Sequence, residues 1–160
     1  MCENPDIKMT MLQHDAEMAA NREAEKRKPI LCLDFDGVLH SYSSGWKGPR
    51  NIPDPPVEGA LDFLRQAVQV FNVCIFSSRG RYIGGRRAMK ACLWKHLAAE
   101  YGTEASNGHF VFCAEDIYYK IKWPRGKPPA HASIDDRGFQ FNGTFPAIEV
   151  LKEFKPWNKR

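Results

Sequence analysis

The sequence predicts an α/β domain built on a doubly wound, mostly parallel sheet. Short apolar runs alternate along the chain with segments of helical periodicity, which is typical of strand–helix–strand units with right-handed crossovers. Three of the apolar runs end abruptly in polar or charged residues, as strands do where an open α/β sheet carries its chemistry. The 160 residues, of which 43% are apolar, are enough for one hydrophobic core.

Residues 1–28 are predicted to form a charged arm, helical or disordered, ahead of a single domain over residues 29–160. Ala16–Lys28 holds seven charged side chains and few apolar anchors. No apolar stretch approaches the ~18 residues that span a membrane, and no signal-peptide core is evident. The five cysteines lack C-x-x-C spacing, which argues against a disulfide framework or a zinc site. We therefore expect a cytoplasmic protein without a membrane partner.

The first half of the domain is predicted to contain two strands and two helices. Residues 30–34 and 71–76 are short runs rich in aliphatic residues, which favours buried strands. Pro56–Val70 and Arg86–Tyr101 carry apolar residues at helical spacing. This order gives one strand–helix–strand unit followed by a second helix.

The second half has less regular signals. We predict strands over His109–Cys113 and Ala132–Asp135, a hairpin or extra strand around Asn142-Gly143 in Phe139–Phe145, and a closing helix over Ala147–Phe154. The connecting segments His40–Pro55 and Ala114–Gly126 are too short for an independent cap domain. The sequence therefore predicts a site that no separate domain covers.

Polar side chains gather where three predicted strands end. These are the runs Asp34-Phe35-Asp36-Gly37, Ser77-Ser78-Arg79 and Asp135-Asp136-Arg137. Parallel strands bring these ends to one edge of the sheet, so four carboxylates would meet there. Such a cluster is costly unless a cation or a shared proton offsets the repulsion, and Mg²⁺ prefers oxygen ligands. The competing interpretation of the first run is a solvated turn with acidic caps.

These runs resemble a known family. Asp34-Phe35-Asp36-Gly37-Val38, Ser77, a following lysine and Asp135-Asp136 are similar to the four motifs of the haloacid dehalogenase-like (HAD) superfamily of phosphohydrolases, over about residues 29–146. The resemblance implies a Rossmann-like sheet without a separate cap, and Mg²⁺ as cofactor.

The resemblance also implies roles for individual residues. Asp34 would be the nucleophile and Asp36 the general acid/base. Ser77 and a lysine would hold the phosphoryl oxygens, and the metal ligands would come from Asp34, Asp36, Asp135 and Asp136. Lys127, in a loop stiffened by two prolines, is the preferred lysine. Lys120 and Lys122 remain alternatives.

The chemistry also follows from the residue types. A carboxylate can attack phosphorus and split hydrolysis into two steps through an aspartyl-phosphate, provided that cations neutralise the phosphate. The predicted activity is therefore Mg²⁺-dependent phosphomonoester hydrolysis. The alternatives are a HAD-like binding or scaffold module with little turnover, and a small-metabolite phosphatase or phosphotransferase.

The candidate substrates are nucleotides and phosphorylated nucleic-acid ends. In the family that the chain resembles, members without caps often take large substrates. The formal net charge of +4 mildly favours anionic ligands. Arg79, Arg81, Arg86 and Arg87 follow the serine motif and either bind a second phosphate or form a solvated basic face. Trp46 or Tyr42 either stacks on a base or packs its own loop. No sequence pattern specifies an oligomeric state.

Overall fold

The structure is a computed structural model of the 160-residue chain. It describes residues 26–103, 113–138, 148–153 and 155–159, together with positions 16, 18–20, 23 and 146. Within this described part the chain has a mixed α/β architecture with parallel strands, which confirms the predicted α/β class. None of the helices in these ranges has both the length and the apolar character needed to cross a membrane.

The described sheet has three strands, all parallel. Strand β1 is Ile30–Leu33, β2 is Asn72–Ile75 and β3 is Ala132–Ile134, in the order β2-β1-β3. Each lies within one residue of a predicted strand, at both ends. Leu33 pairs with Ile75 on one side and with Ile134 on the other. The three strands therefore end at the same level, and the residues that follow them emerge at one edge.

Two longer helices pack against the sheet. Helix α1 is Ala60–Val70 and α2 is Gly85–Tyr101. The prediction placed the start of α1 at Pro56, which is four residues too early. Pro56 bridges to His40, the Val57 N–H donates to the Leu39 carbonyl at 3.0 Å, and Gly59 has a φ of 76°. Those contacts hold the segment in a non-helical path, so the helix begins after Gly59.

Two short helices and two 3₁₀ turns complete the described part. Helix α3 is Ala114–Tyr118, which the sequence analysis did not predict, and α4 is Ile148–Lys152, inside the predicted closing helix. The 3₁₀ turns are Ser78–Arg81 and Trp157–Lys159. Cys113 caps α3. The rest of the predicted strand 109–113, the predicted hairpin 139–145 and most of residues 1–28 lie outside the described residues.

The core lies between the sheet and the two long helices. The buried face of α1 recurs every three or four residues, and that of α2 every four, as amphipathic helices require. Burial of each large aliphatic side chain in this core contributes roughly 1.5–3 kcal/mol to the free energy of unfolding. The main contributors are Leu31, Leu33, Val73, Ile75, Leu64, Val68, Met89, Leu93, Leu97 and Ile117. This packing fixes the ends of β1 and β2, on which the site is built.

Candidate metal and phosphate site

Three carboxylates converge at the carboxyl edge of the sheet. One oxygen from each of Asp34, Asp135 and Asp136 lies within 4.8 Å of the others. Asp34 follows β1, the other two follow β3, and the Asp34 N–H donates to the Ile134 carbonyl at 3.0 Å. Ligands of Mg²⁺ at its usual bond length are about 3–4 Å apart, so small side-chain adjustments would seat one ion.

Asp34 is the most strongly perturbed member of this cluster. Burial is the main cause that raises its pKa to about 6, and the charges of Asp135 and Asp136 add to the rise. Hydrogen bonds from the Phe35 N–H, at 2.6 Å, and from the Ser77 hydroxyl act in the opposite direction. Without a cation, keeping Asp34 ionised beside the two other carboxylates therefore costs free energy.

Asp136 supplies the observation that fits a cation best. Its side chain is only 2% exposed, and its buried Oδ1 has no hydrogen-bond partner among the described residues. The Arg137 Nε lies 3.7 Å from the other oxygen, Oδ2. Burial raises the pKa of Asp136 and Asp135 adds to this, against the lowering effect of Arg137. An unpaired buried acceptor costs about 1–3 kcal/mol, and a coordinated Mg²⁺ would satisfy it.

Gly37 makes room for that carboxylate. Its φ is +88°, and a Cβ at this position would lie 2.6 Å from Asp136 Oδ2. Any other residue would both strain the backbone and displace Asp136. The Gly37 carbonyl accepts a 2.7 Å hydrogen bond from the Trp157 indole, which ties the C-terminal turn to this loop.

A cavity of about 150 Å³ opens beside the cluster. Its lining includes Asp34, Asp135, Lys127 and Ser78. Lys122 lies elsewhere, because its segment bridges to the outer edge of β2 and its Nζ donates to Asn72 Oδ1 at 3.0 Å. The geometry thus places Lys127, rather than Lys122, in the lining of the cavity that Asp34 and Asp135 also line.

The serine motif contributes two neighbouring hydroxyls. Ser77 is buried, bonds the Asp34 carboxylate, and caps the first 3₁₀ turn by accepting the Arg79 N–H at 3.4 Å. Ser78, not Ser77, lines the 150 Å³ cavity. The predicted phosphate-binding role of Ser77 stays a prediction, and Ser78 is a second candidate for it.

Asp36 lies apart from the three-carboxylate cluster and forms a buried ion pair. Arg79, 1% exposed, donates from Nε to Asp36 Oδ2 at 2.8 Å and from Nη2 to Oδ1 at 3.0 Å. His40 Nδ1 donates to Oδ1 at 2.9 Å. Burial alone would raise the pKa of Asp36, but the hydrogen bonds from His40 and Arg79 outweigh it and lower the pKa. Its predicted roles as metal ligand and general acid/base therefore stay predictions, with a geometry that favours an anchoring role.

The same ion pair fixes the loop that follows β1. Arg79 Nη1 donates to the carbonyls of Gly48, Pro49 and Asn51 at 2.7–3.3 Å, and its guanidinium lies 4.6 Å from the Trp46 ring centre. A further buried carboxylate, Asp54, accepts from the Ser44 N–H and hydroxyl and lies 3.7 Å from His40 Nε2. The sequence signal for this network was present only as isolated residues, because the contacts of Arg79 join positions 28 to 43 residues apart.

No protein-family model, curated protein or solved structure matches the chain. The described residues form an α/β protein with an acidic cluster at the carboxyl edge of a parallel sheet, beside a cavity whose lining includes one lysine.

Proposed function

We propose that the chain is a Mg²⁺-dependent phosphomonoester hydrolase of the HAD-like type. The observation that carries the proposal is the convergence of Asp34, Asp135 and Asp136 beside the cavity that Lys127 lines. The strand order β2-β1-β3 also supports it. In a doubly wound sheet the crevice forms where the strand order reverses. Here β1, which Asp34 follows, has β2 on one side, while β3, which comes after β2 in the chain, lies on its other side.

The residues divide the chemistry among themselves. Asp34, Asp135 and Asp136 would hold Mg²⁺, which as a Lewis acid would offset the charge of a phosphate. The ionised Asp34 carboxylate attacks phosphorus and the bond to the leaving oxygen breaks, giving an aspartyl-phosphate. Water then hydrolyses that intermediate to inorganic phosphate and regenerates Asp34. Lys127, which lines the same cavity, contributes positive charge.

The position of Asp36 favours a second candidate function. A general acid needs a pKa near the working pH and a free path to the leaving oxygen. Asp36 instead has a lowered pKa and both oxygens engaged by Arg79 and His40. Leaving groups that need no proton would therefore react best. In the limiting case the chain is a HAD-like binding module with little turnover.

The test uses p-nitrophenyl phosphate, whose leaving group needs no proton. Chelator-treated full-length protein should be inactive, and Mg²⁺ should restore activity better than Ca²⁺ does. Asp34→Asn should lower kcat by about a thousandfold or more, as loss of a nucleophile typically does. Asp62→Asn, at an exposed position on α1, is the matched control and should keep its activity.

Two outcomes would contradict the proposed hydrolase mechanism. Full activity in excess chelator would show that the reaction does not need a metal. Turnover of Asp34→Asn within a few-fold of wild type would show that Asp34 is not the nucleophile. Mg²⁺ binding without turnover of any phosphomonoester would favour the binding-module candidate.

A further inference from the structure

We propose that a second cavity, beside the first, binds a further phosphate group of the same substrate. The inference rests on the proposed function and specifies its substrate class. The cavity has a volume of about 40 Å³ and its lining includes Phe76, Ser77, Arg81, Arg86, Trp123 and Arg125. That volume is several times the ~10–15 Å³ that one water needs, so it can take the oxygens of one phosphate.

The lining of this small space includes three arginines that form no ion pair with a described carboxylate. No described carboxylate lies within ion-pair distance of Arg81, Arg86 or Arg125, and none of the three has a further partner in the described part of the chain. Like charges gathered in a concave wall repel one another and focus a positive potential into it. Arginine also presents the planar donor geometry that matches phosphate oxygens. The arrangement is therefore complementary to an anion.

The adjoining helix adds to this potential. Helix α2 begins at Gly85 beside the cavity, and its first turn contains no acidic residue. Its first turn carries Arg86 and Arg87 instead, which are unfavourable next to the positive end of the helix dipole. Lys90, one turn after Arg86, lies 5.8 Å from the ring centre of Trp123. The two arginines lower the stability of the helix at its first turn, and this cost is explained if their positive charge binds an anion.

The two cavities adjoin the same strand end. Phe76 lines both, Ser78 lines the first and Ser77 lines the second. A substrate whose scissile phosphate lies near Asp34 and Lys127 would thus carry a neighbouring phosphate toward the three arginines. A lone phosphomonoester leaves the second cavity unused, whereas a nucleoside bisphosphate or a phosphorylated oligonucleotide end fills both.

Arg79 and Arg87 are not part of this site. Arg79 is buried with its donors on Asp36 and on loop carbonyls. Arg87 is exposed and lies outside the lining of the second cavity. This distinction provides a matched control, because Arg86 and Arg87 are adjacent on the same helical turn.

The test is calorimetric titration of the full-length Asp34→Asn protein, which should bind substrate without turnover. The ligands are adenosine 3′,5′-bisphosphate and adenosine 5′-monophosphate, at low salt with Mg²⁺. The bisphosphate should bind about tenfold tighter or more, and salt should reduce that ratio. When Arg86→Gln and Arg125→Gln are added, the two dissociation constants should differ by no more than about threefold. When Arg87→Gln is added instead, their ratio should not change.

Equal dissociation constants for the two ligands, or a ratio that survives Arg86→Gln/Arg125→Gln, would overturn the second site. A 5′-phosphorylated tetranucleotide then separates the two sources of the second phosphate. If it binds tighter than the bisphosphate, the substrate is a nucleic-acid end, and if weaker, a small bisphosphate. Hydrolysis of p-nitrophenyl phosphate by the wild type is measured separately. If the bisphosphate binds more tightly than the monophosphate but p-nitrophenyl phosphate is not hydrolysed, only the proposed function is refuted. If p-nitrophenyl phosphate is hydrolysed but the two nucleotides bind equally well, only the second site is refuted.

Discussion

Replacing Asp34 by asparagine should stabilise the metal-free protein at alkaline pH. Burial and two neighbouring carboxylates raise the pKa of Asp34 from 3.8 to about 6. The folded state therefore binds this proton more tightly than the unfolded state does. The resulting penalty is small below pH 3.8, grows as the pH rises from 3.8 toward the folded pKa of about 6, and is complete above it.

The size of the effect follows from that shift. Two pK units correspond to about 3 kcal/mol at 1.36 kcal/mol per unit, which is an upper bound because Asp34 is partly exposed. Asparagine keeps an oxygen that can accept the hydrogen bonds from the Phe35 N–H and the Ser77 hydroxyl, but it carries no charge. We expect a gain of about 1–3 kcal/mol at pH 8, or about 2–4 °C in Tm per kcal/mol for a chain of this size.

The assay is urea unfolding in chelator at pH 4, 6 and 8. The difference between Asp34→Asn and wild type should be small at pH 4 and largest at pH 8. Excess Mg²⁺ at pH 8 should stabilise the wild type more than the variant, because Asp34→Asn loses one charged ligand and keeps Asp135 and Asp136. Asp62→Asn is the control. Its carboxylate has a lowered pKa because of hydrogen bonds from Arg65 and Gln66, so its removal should bring no gain. An Asp34→Asn protein that is less stable than wild type at pH 8, or equally stabilised at every pH, would refute this reasoning.

Three further predictions concern neighbouring positions. Gly37→Ala should weaken Mg²⁺ binding, measured by calorimetry, because its Cβ would displace Asp136; unchanged affinity would contradict the close approach. Arg79→Met should destabilise the protein by about 3–5 kcal/mol in urea unfolding, because it leaves Asp36 buried without its cation. A loss below about 1 kcal/mol would show that the ion pair is dispensable. Cys32, which lines the larger cavity, should react slowly with iodoacetamide at pH 7, because burial raises the pKa of its thiol. Mass spectrometry measures the rate of labelling, and rapid labelling would disprove this prediction.

The sheet and its edge were predictable because their signals are local. A short aliphatic run such as Ile30–Leu33 can hardly be anything but a buried strand when polar residues follow at once. Parallel pairing then brings Asp34 beside Asp135 and Asp136 without further assumptions. Helix α3 was missed because five residues are too few to show a helical period.

The partners of Asp36 were not predictable in the same way. Two aspartates separated by one residue would share a face if the strand continued through both. Strand β1 ends at Leu33, however, and the backbone bends at Phe35, so the two side chains have different surroundings. Asp34 turns toward β3, whereas Asp36 meets Arg79, which is 43 positions away in the chain. Arg79 itself was grouped with exposed arginines, because nothing local indicates that the carbonyls of Gly48 and Asn51 would surround it.

The buried guanidinium of Arg79 has a consequence for the motion of the loop that follows β1. By bonding three carbonyls of that loop, as well as Asp36, it holds the loop to the buried ion pair at several points. Enzymes with mobile covers often wait for an opening step before product leaves. A loop bonded in this way is a poor hinged cover, so we expect the rate of ligand entry to vary with ionic strength rather than with loop motion.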